Sequence, residues 1–138
     1  MEERNNFTVG EHATRSKLIT EADIEQFAKI TGDVNPIHID ESYAVNTYFG
    51  DRIAHGMLVA SLISAVLGNQ LPGAGSIYLS QELRFLAPVH PGDVITARVE
   101  VISWDAEKGR IGLRTEITNQ ENNTVVKGNA QLVLASFL

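Results

Sequence analysis

The sequence of 138 residues has the length of one domain that can enclose its own hydrophobic core, and we expect a single domain over residues 1–138. Hydrophobic residues make up 43% and charged residues 20%, which excludes a disordered or fibrous chain, and the lack of cysteine excludes thiolate nucleophiles, thiolate zinc sites and disulfides. The net charge of −6, with basic residues scattered singly, argues against a nucleic-acid partner.

The sequence indicates no targeting or membrane segment. The first six residues, MEERNN, lack the apolar region of a signal peptide. The longest apolar run, residues 57–67, is interrupted by Ser61 and Ser64 and is too short to span a bilayer. We therefore expect a soluble, cytoplasmic protein that does not bind membranes.

A first short helix is predicted after Thr20. Thr20 and Asp23 have the spacing of a capping box, and Gly32 suits the residue at which a helix ends. Apolar residues recur between them at helical spacing, at Ile24, Phe27, Ala28 and Ile30. The pattern predicts an amphipathic helix that ends just before Asp33.

Residues 33–38 are predicted to form a loop. Pro36 lacks a backbone N–H and pushes the residue before it toward extended conformations, so the first helix cannot continue through this segment. Asp40 or Ser42 can then cap a second short helix that runs to about Thr47.

The next helix is predicted to be the centre of the molecule. Residues 56–70, GMLVASLISAVLGNQ, are apolar on almost every side of a helix, with only small serines as polar interruptions. A helix with this pattern has no face for water, so it should be buried. The turn-forming residues 71–75, LPGAG, end it.

The rest of the chain is predicted to form strands, at residues 76–87, 94–104, 110–119 and 124–136. The short links between them favour antiparallel pairing. In the second of these strands, apolar and polar residues alternate, so one face of the sheet is buried, and the central helix is the element suited to cover it. An antiparallel sheet wrapped round one apolar helix is an α+β architecture called the hotdog fold.

The residues that could perform chemistry are concentrated at Asp33 and His38. A carboxylate and an imidazole on one loop, stiffened by Pro36 and placed just after a helix end, can meet in a small volume and hold one water molecule. Because an unperturbed carboxyl titrates near ~3.9 and an imidazole near ~6.5, such a pair can supply a base and, once protonated, an acid at neutral pH.

The motif resembles that of the MaoC-like, or (R)-specific enoyl-CoA hydratase, family. The family signature Gly-Asp-x-Asn-Pro-x-His matches residues 32–38, and its His-Gly at the start of the hotdog helix matches His55-Gly56. Residues 71–79 and 85–89 are also similar to family segments, so that the resemblance extends over nearly the whole chain.

The resemblance implies an enzyme that reversibly adds water to trans-2-enoyl-CoA to give (R)-3-hydroxyacyl-CoA, of the short-chain type linked to polyhydroxyalkanoate precursor supply. Asp33 and His38 are then the catalytic pair, with the division into acid and base left open. The backbone N–H of Gly56, at the positive end of the helix, is the candidate oxyanion hole.

The resemblance also implies how the substrate is bound. Ser64 and Leu67 are candidate substrate-binding residues, although Ser64 could equally bond back to a carbonyl one turn earlier. Because the bulky Leu67 ends the expected pocket, we expect short acyl chains. No cofactor or metal is expected, since coenzyme A is part of the substrate. A single hotdog sheet leaves an exposed edge strand, and the family groove lies between two protomers, so we expect a homodimer.

Other polar residues are given structural or solvent-exposed roles. A structural role beside the helix start is favoured for His55, and His12 and His90 are expected in solvent. A metal site built from His38, Asp40 and His55 is possible by residue type but disfavoured. A serine hydrolase is disfavoured because neither central-helix serine lies in a Gly-x-Ser-x-Gly elbow.

Alternative functions within this fold are an acyl-CoA thioesterase, a dehydratase of carrier-protein-bound chains, and a non-catalytic acyl-CoA-binding module. The presence of both Asp33 and His38 argues against the binding module. The Asn-Pro-x-His context argues against the thioesterase.

Overall fold

The computed structural model describes residues 2–138, so Met1 of the expected domain lies outside the described residues. Over this range the chain forms a sheet, a long helix and three shorter helices. Their bounds are β1 His12–Leu18, α1 Glu21–Thr31, α2 Pro36–Ile39, α3 Glu41–Ala44, α4 Gly56–Asn69, β2 Ser76–Phe85, β3 Val94–Asp105, β4 Arg110–Thr118 and β5 Thr124–Leu134, followed by a 3₁₀ turn at Ala135–Phe137.

The strands form one antiparallel sheet in the order β1-β3-β4-β5-β2. The short links after β3 and β4 make hairpins, which confirms the antiparallel pairing expected from the sequence. The longer connection after β2 carries the chain across the sheet, because β2 pairs with β5 and not with β3. The two edges of the sheet are therefore β1 and β2.

Helix α4 lies against the inner face of this sheet. The alternating apolar residues of β3, namely Ile95, Ala97, Val99 and Val101, are fully buried, as their period-2 pattern predicts. From α4, the stripe of Val59, Ile63, Val66 and Leu67 packs into the same core. The arrangement is the predicted hotdog fold. Within residues 2–138, no helix combines the length and the apolar character that crossing a membrane requires.

Local signals place the start and end of α1 as predicted. The Thr20 hydroxyl accepts from the Asp23 N–H at 3.0 Å, and the Asp23 carboxylate accepts from the Thr20 N–H at 3.0 Å, which completes the capping box. Gly32 ends the helix in the left-handed conformation, with φ of +79°.

The segment after α1 differs from the predicted loop. Residues 36–39 form the short helix α2, because proline is tolerated at a first helical position and the Asn35 side chain caps the turn by accepting from the Ile37 N–H at 3.2 Å. Helix α3 is capped by Asp40 as expected, but it ends at Ala44 and not near Thr47.

Strand β1 was not predicted from the sequence. The segment HATRSKL is largely polar and shows no clean alternation, so it resembles an exposed N-terminal tail. It becomes a strand because it pairs along its whole length with β3, from His12 opposite Glu100 to Leu18 opposite Val94. An edge strand can keep polar side chains, since part of its surface faces solvent.

Candidate active site

Asp33 follows the left-handed Gly32 that ends α1. Its N–H donates to the Thr31 hydroxyl at 3.2 Å, and its carboxylate accepts from the Asn35 N–H at 3.3 Å. Because Asn35 in turn caps α2, the end of one helix and the start of the next hold the Asp33 carboxylate in place. The side chain remains exposed, so that a substrate can reach it.

His38 lies in α2, and its orientation is fixed by a distant backbone group. Its Nδ1 lies 2.7 Å from the carbonyl oxygen of Ile53. A carbonyl can only accept, so Nδ1 carries the proton of the neutral ring and Nε2 keeps a free lone pair. The Ile53 N–H donates in return to the Ile37 carbonyl at 3.3 Å, which ties α2 to the chain that leads into α4.

The pKa of His38 is lowered from its ordinary value of 6.5. Burial of the ring is the largest cause, and the charge of the neighbouring His55 also lowers the pKa, whereas the bond to Ile53 and the charge of Asp33 raise it. The net effect keeps His38 neutral at neutral pH. Its Nε2 is then in the form that can accept a proton.

His55 lies directly against both residues of the pair. It is 2% exposed, its Nε2 donates to the Asp33 carbonyl oxygen at 3.0 Å, and its ring stacks on that of His38 with centroids 3.9 Å apart. The Phe27 ring packs on it as well, at 4.8 Å. The sequence predicted a position beside the helix start for His55, but it did not predict contact with both catalytic candidates.

Asp33, His38 and His55 each offer a potential metal-ligand atom, and these atoms lie within 4.8 Å of one another. The group differs from the one considered from the sequence, because Asp40 is used as the cap of α3. The two imidazole rings are stacked with an angle of 29° between their planes. One nitrogen of each ring is already bonded to a backbone carbonyl, of Ile53 and of Asp33, which leaves one nitrogen of each ring for acid–base chemistry or for a ligand.

Gly56 is the first residue of α4 and lies close to β2. A Cβ at this position would be 2.8 Å from the Phe85 ring, so a larger residue would have to displace that ring. The N–H of a first helical residue has no partner inside the helix and lies at the positive end of the helix dipole. The glycine therefore leaves an amide donor in the cavity that Asp33 and His38 also line.

Asp33, His38 and Gly56 line one cavity of about 550 Å³. Its other walls are mostly apolar and come from the loop before α4, the start of α4, the end of β2 with the segment that follows it, and β5. They include Phe49, Ile53, Met57, Val59, Phe85, Leu86, Pro88, Val89 and Val126. Three of the five predicted site residues therefore meet at one place.

Ser64 lines a second cavity of about 490 Å³, between α4 and β2. Met57 lines both cavities, so the two are neighbours along α4. Leu67 does not line either cavity: it is 1% exposed and lies on the α4 stripe that faces the sheet. A helix that is apolar nearly all round gave no sequence signal for which side Leu67 would face.

Residues that the sequence did not predict also shape the site. Ile53 orients His38 through a backbone carbonyl, for which the sequence carries no signal. Phe85 lies in a segment with family resemblance, and this was the available signal that it borders the cavity.

Comparisons with known proteins show what this chain is similar to. The family model described as "MaoC like domain" matches residues 6–125. An (R)-specific enoyl-CoA hydratase of Rhodospirillum rubrum is 46% identical over 125 residues, which is 91% of this chain and 86% of that protein. The structure of an (R)-hydratase of Aeromonas caviae involved in PHA biosynthesis superposes with a TM-score of 0.91 at 44% identity, over 95% of this chain and 99% of that one. The unliganded R-hydratase PhaJ1 of Pseudomonas aeruginosa gives a TM-score of 0.88 at 43% identity, over 93% of this chain and 82% of that one.

The environment of His38 predicts its titration. We expect its ring to titrate below 6.5, with the proton of the neutral form on Nδ1. The folded state binds this proton less readily than the unfolded chain. The contribution of neutral His38 to the free energy of unfolding is therefore fully present above pH 6.5, and it is lost as the pH falls through the lowered pKa. Nitrogen-15 NMR of the ring, with the urea-unfolded chain as reference, measures both properties. A midpoint above the reference, or a proton on Nε2 of the neutral ring, would contradict the assignment.

Proposed function

The chain belongs to the MaoC-like domain family, and on that premise we propose that it is an (R)-specific enoyl-CoA hydratase, a hydro-lyase that reversibly converts trans-2-enoyl-CoA into (R)-3-hydroxyacyl-CoA. The observation that carries the proposal is the meeting of Asp33, His38 and the N–H of Gly56 in one apolar cavity. The relatives named as (R)-specific hydratases, with 43–46% identity over most of the chain, support it.

Asp33 and His38 are proposed to hold the attacking water between them. A carboxylate oxygen of Asp33 and a ring nitrogen of His38 lie within 4.8 Å of each other, a separation that one bridging water can span. His38 Nε2 takes a proton from this water while its oxygen bonds to C3, and His38 then returns a proton to C2. The Asp33 carboxylate orients the water and stabilises the imidazolium form of His38. The sum of these steps is the addition of one water molecule, and no cofactor or metal takes part.

The electrons displaced from the double bond move toward the thioester oxygen. The Gly56 N–H, at the start of α4, is proposed to donate a hydrogen bond to this oxygen. One such donor in an oxyanion hole typically contributes about 3 kcal/mol to the transition state. Coenzyme A enters only as part of the substrate.

Replacing either member of the catalytic pair should abolish most of the activity. Asp33→Asn and His38→Ala should each lower kcat for crotonyl-CoA by about a hundred- to ten-thousandfold, the usual contribution of a general acid–base group. The loss of the conjugated enoyl-thioester absorbance measures the rate, and chiral analysis of the product tests the (R) configuration.

His12→Ala is the matched control, because His12 is an exposed residue of β1 outside the cavity. A variant of the pair that keeps more than about a tenth of the wild-type rate would contradict its role. Release of free thiol instead of loss of the double bond would indicate a thioesterase, and neither change would indicate a binding module. Activity restricted to carrier-protein thioesters would indicate the dehydratase alternative.

The acyl tail is proposed to extend past Met57 into the second cavity, beside Ser64. The wall of this cavity is mostly apolar, but along β2 it includes a polar pair, in which the Tyr78 hydroxyl donates to the Gln81 side chain at 2.7 Å and Gln81 donates to the buried Thr115 hydroxyl at 3.0 Å. Gln81 and Tyr78 come before Phe85 in the strand, so they lie progressively farther from Gly56. A long hydrocarbon tail would have to lie against these polar groups.

We therefore expect short chains, of about four to six carbons, to be preferred, because each buried methylene contributes only about 0.8 kcal/mol and burying polar groups against hydrocarbon opposes it. Values of kcat/KM for crotonyl-, hexenoyl- and decenoyl-CoA test this expectation. Gln81→Leu should raise the decenoyl rate relative to the crotonyl rate, whereas Gln131→Leu, on the same sheet but outside this cavity, should not. Equal or better kcat/KM for decenoyl-CoA in the unmodified protein would show that the cavity is open to long chains.

The protein is proposed to act as a cytoplasmic homodimer. The two sheet edges differ, since β1 is largely polar, whereas β2 exposes Ile77, Tyr78, Leu79 and Phe85, each at least 40% accessible. An apolar edge strand with unpaired backbone groups is a template for pairing with another strand. Pairing of β2 with its copy about a two-fold axis covers this edge and adds a wall to the second cavity.

Light scattering should therefore give twice the chain mass of 15.1 kDa. Leu79→Lys, at 47% exposure on β2, should shift the protein toward the monomer, because it places a charge in the proposed interface. Leu18→Lys, at 50% exposure on β1, is the matched control and should remain dimeric. A wild-type protein that is monomeric and fully active would contradict the proposed dimer.

A further inference from the structure

The second histidine of the site, His55, is too enclosed to exchange a proton with a substrate. Its side chain is 2% exposed, and Nε2 is already bonded to the Asp33 carbonyl oxygen at 3.0 Å. The other ring nitrogen, Nδ1, is buried and has no hydrogen-bond partner among residues 2–138. Any role of His55 in the reaction must therefore act through its neighbours.

One of these neighbours is the segment that carries Asp33. In the part of the chain that the structure describes, the other hydrogen bonds of Asp33 are local and reach only Thr31 and Asn35. The bond from His55 joins residues 22 positions apart and ties this segment to the start of α4. Without it, the Asp33 segment would be tied to the start of α4 only indirectly, through α2 and its hydrogen bonds to Ile53.

The other neighbour is the ring of His38. The His55 ring packs on the rings of both Phe27 and His38, with centroid distances of 4.8 and 3.9 Å. The bond to Ile53 fixes one nitrogen of His38, but a single bond leaves the ring free to tilt about it. The stack on His55 sets the plane of the His38 ring, and thereby the direction of its free Nε2.

We propose that His55 is a positioning residue that holds Asp33 and His38 in the arrangement needed for hydration. It does so with two separate contacts, a hydrogen bond to the backbone of Asp33 and a ring stack under His38. The inference rests on the proposed hydratase function and assigns no proton transfer to His55. A displacement of about 1 Å in a catalytic group can lower a rate about a hundredfold, so the two contacts are sufficient to matter.

Three substitutions separate the two contacts. His55→Phe keeps a ring for the stack and removes the donor, His55→Gln keeps an amide donor near the position of Nε2 and removes the ring, and His55→Ala removes both. We expect kcat for crotonyl-CoA to fall about a hundredfold in His55→Ala, with KM changed less than about threefold. His55→Gln and His55→Phe should each recover at least about tenfold of that loss, because each restores one of the two contacts.

The pH profile separates positioning from a loss of stability. The charge of His55 and burial of the ring both lower the pKa of His38, so replacing His55 by Gln or Ala should move the acid limb of kcat toward higher pH. Leu62→Ala is the matched control, since Leu62 is 5% exposed in α4 and does not line either cavity. It should lower the midpoint of urea unfolding and leave the acid limb in place.

The outcomes are distinguishable. A His55→Ala protein that keeps more than a third of the wild-type kcat with an unshifted acid limb would overturn the positioning role, and the proposed function would stand if Asp33→Asn and His38→Ala were inactive. The positioning role would also be overturned if the loss of kcat in each variant only paralleled its lowered midpoint of urea unfolding, and if His55→Gln and His55→Phe recovered no activity. Full activity of Asp33→Asn and His38→Ala would instead remove the proposed function itself.

Discussion

Burial of helix α4 is the constraint on which the rest of the structure depends. The apolar inner face of the sheet covers one side of the helix, whereas the side that carries Ser61 and Ser64 is exposed, so the helix is not buried all round as its sequence predicted. Each fully buried large apolar side chain contributes about 1.5–3 kcal/mol relative to exposure, and α4 buries six residues, namely Val59, Ala60, Leu62, Ile63, Val66 and Leu67. The position of the helix start is fixed by this packing and not by a side-chain cap, because none is present.

The site is built at that fixed helix start. Once α4 is in place, Gly56 lies against Phe85, and the preceding residues 53–55 lie against the segment that follows α1. Two backbone carbonyls, from Ile53 and Asp33, then orient the two imidazoles. The candidate site therefore lies where a buried helix meets a short exposed segment, and packing of the helix in the core determines where that segment lies.

The edge strand β2 borders both cavities and also forms one exposed edge of the sheet. Its inner residues line the second cavity, its end at Phe85 borders the first, and its unpaired edge carries apolar side chains. A bulge between Tyr78 and Ser80 interrupts its pairing with β5 near the polar cluster. The same strand thus lines the cavity proposed for the acyl tail and carries the edge proposed for the dimer.

Signals that act over a few residues were sufficient to predict much of the molecule. The capping box at Thr20, the apolar segment 56–70, the alternation in β3 and the turn residues between strands each determine local structure through neighbours in the chain, so the helix, the antiparallel sheet and the motif around Asp33 and His38 followed from the sequence. The start of α2 was wrongly predicted as loop because proline both ends one helix and can begin the next. Only the tertiary structure decided that a polar segment would become β1, that Leu67 would face the core, and that His55 would touch both Asp33 and His38. Each of these outcomes depends on contacts between residues that are far apart in the chain. A local sequence pattern does not specify which distant residue a side chain contacts.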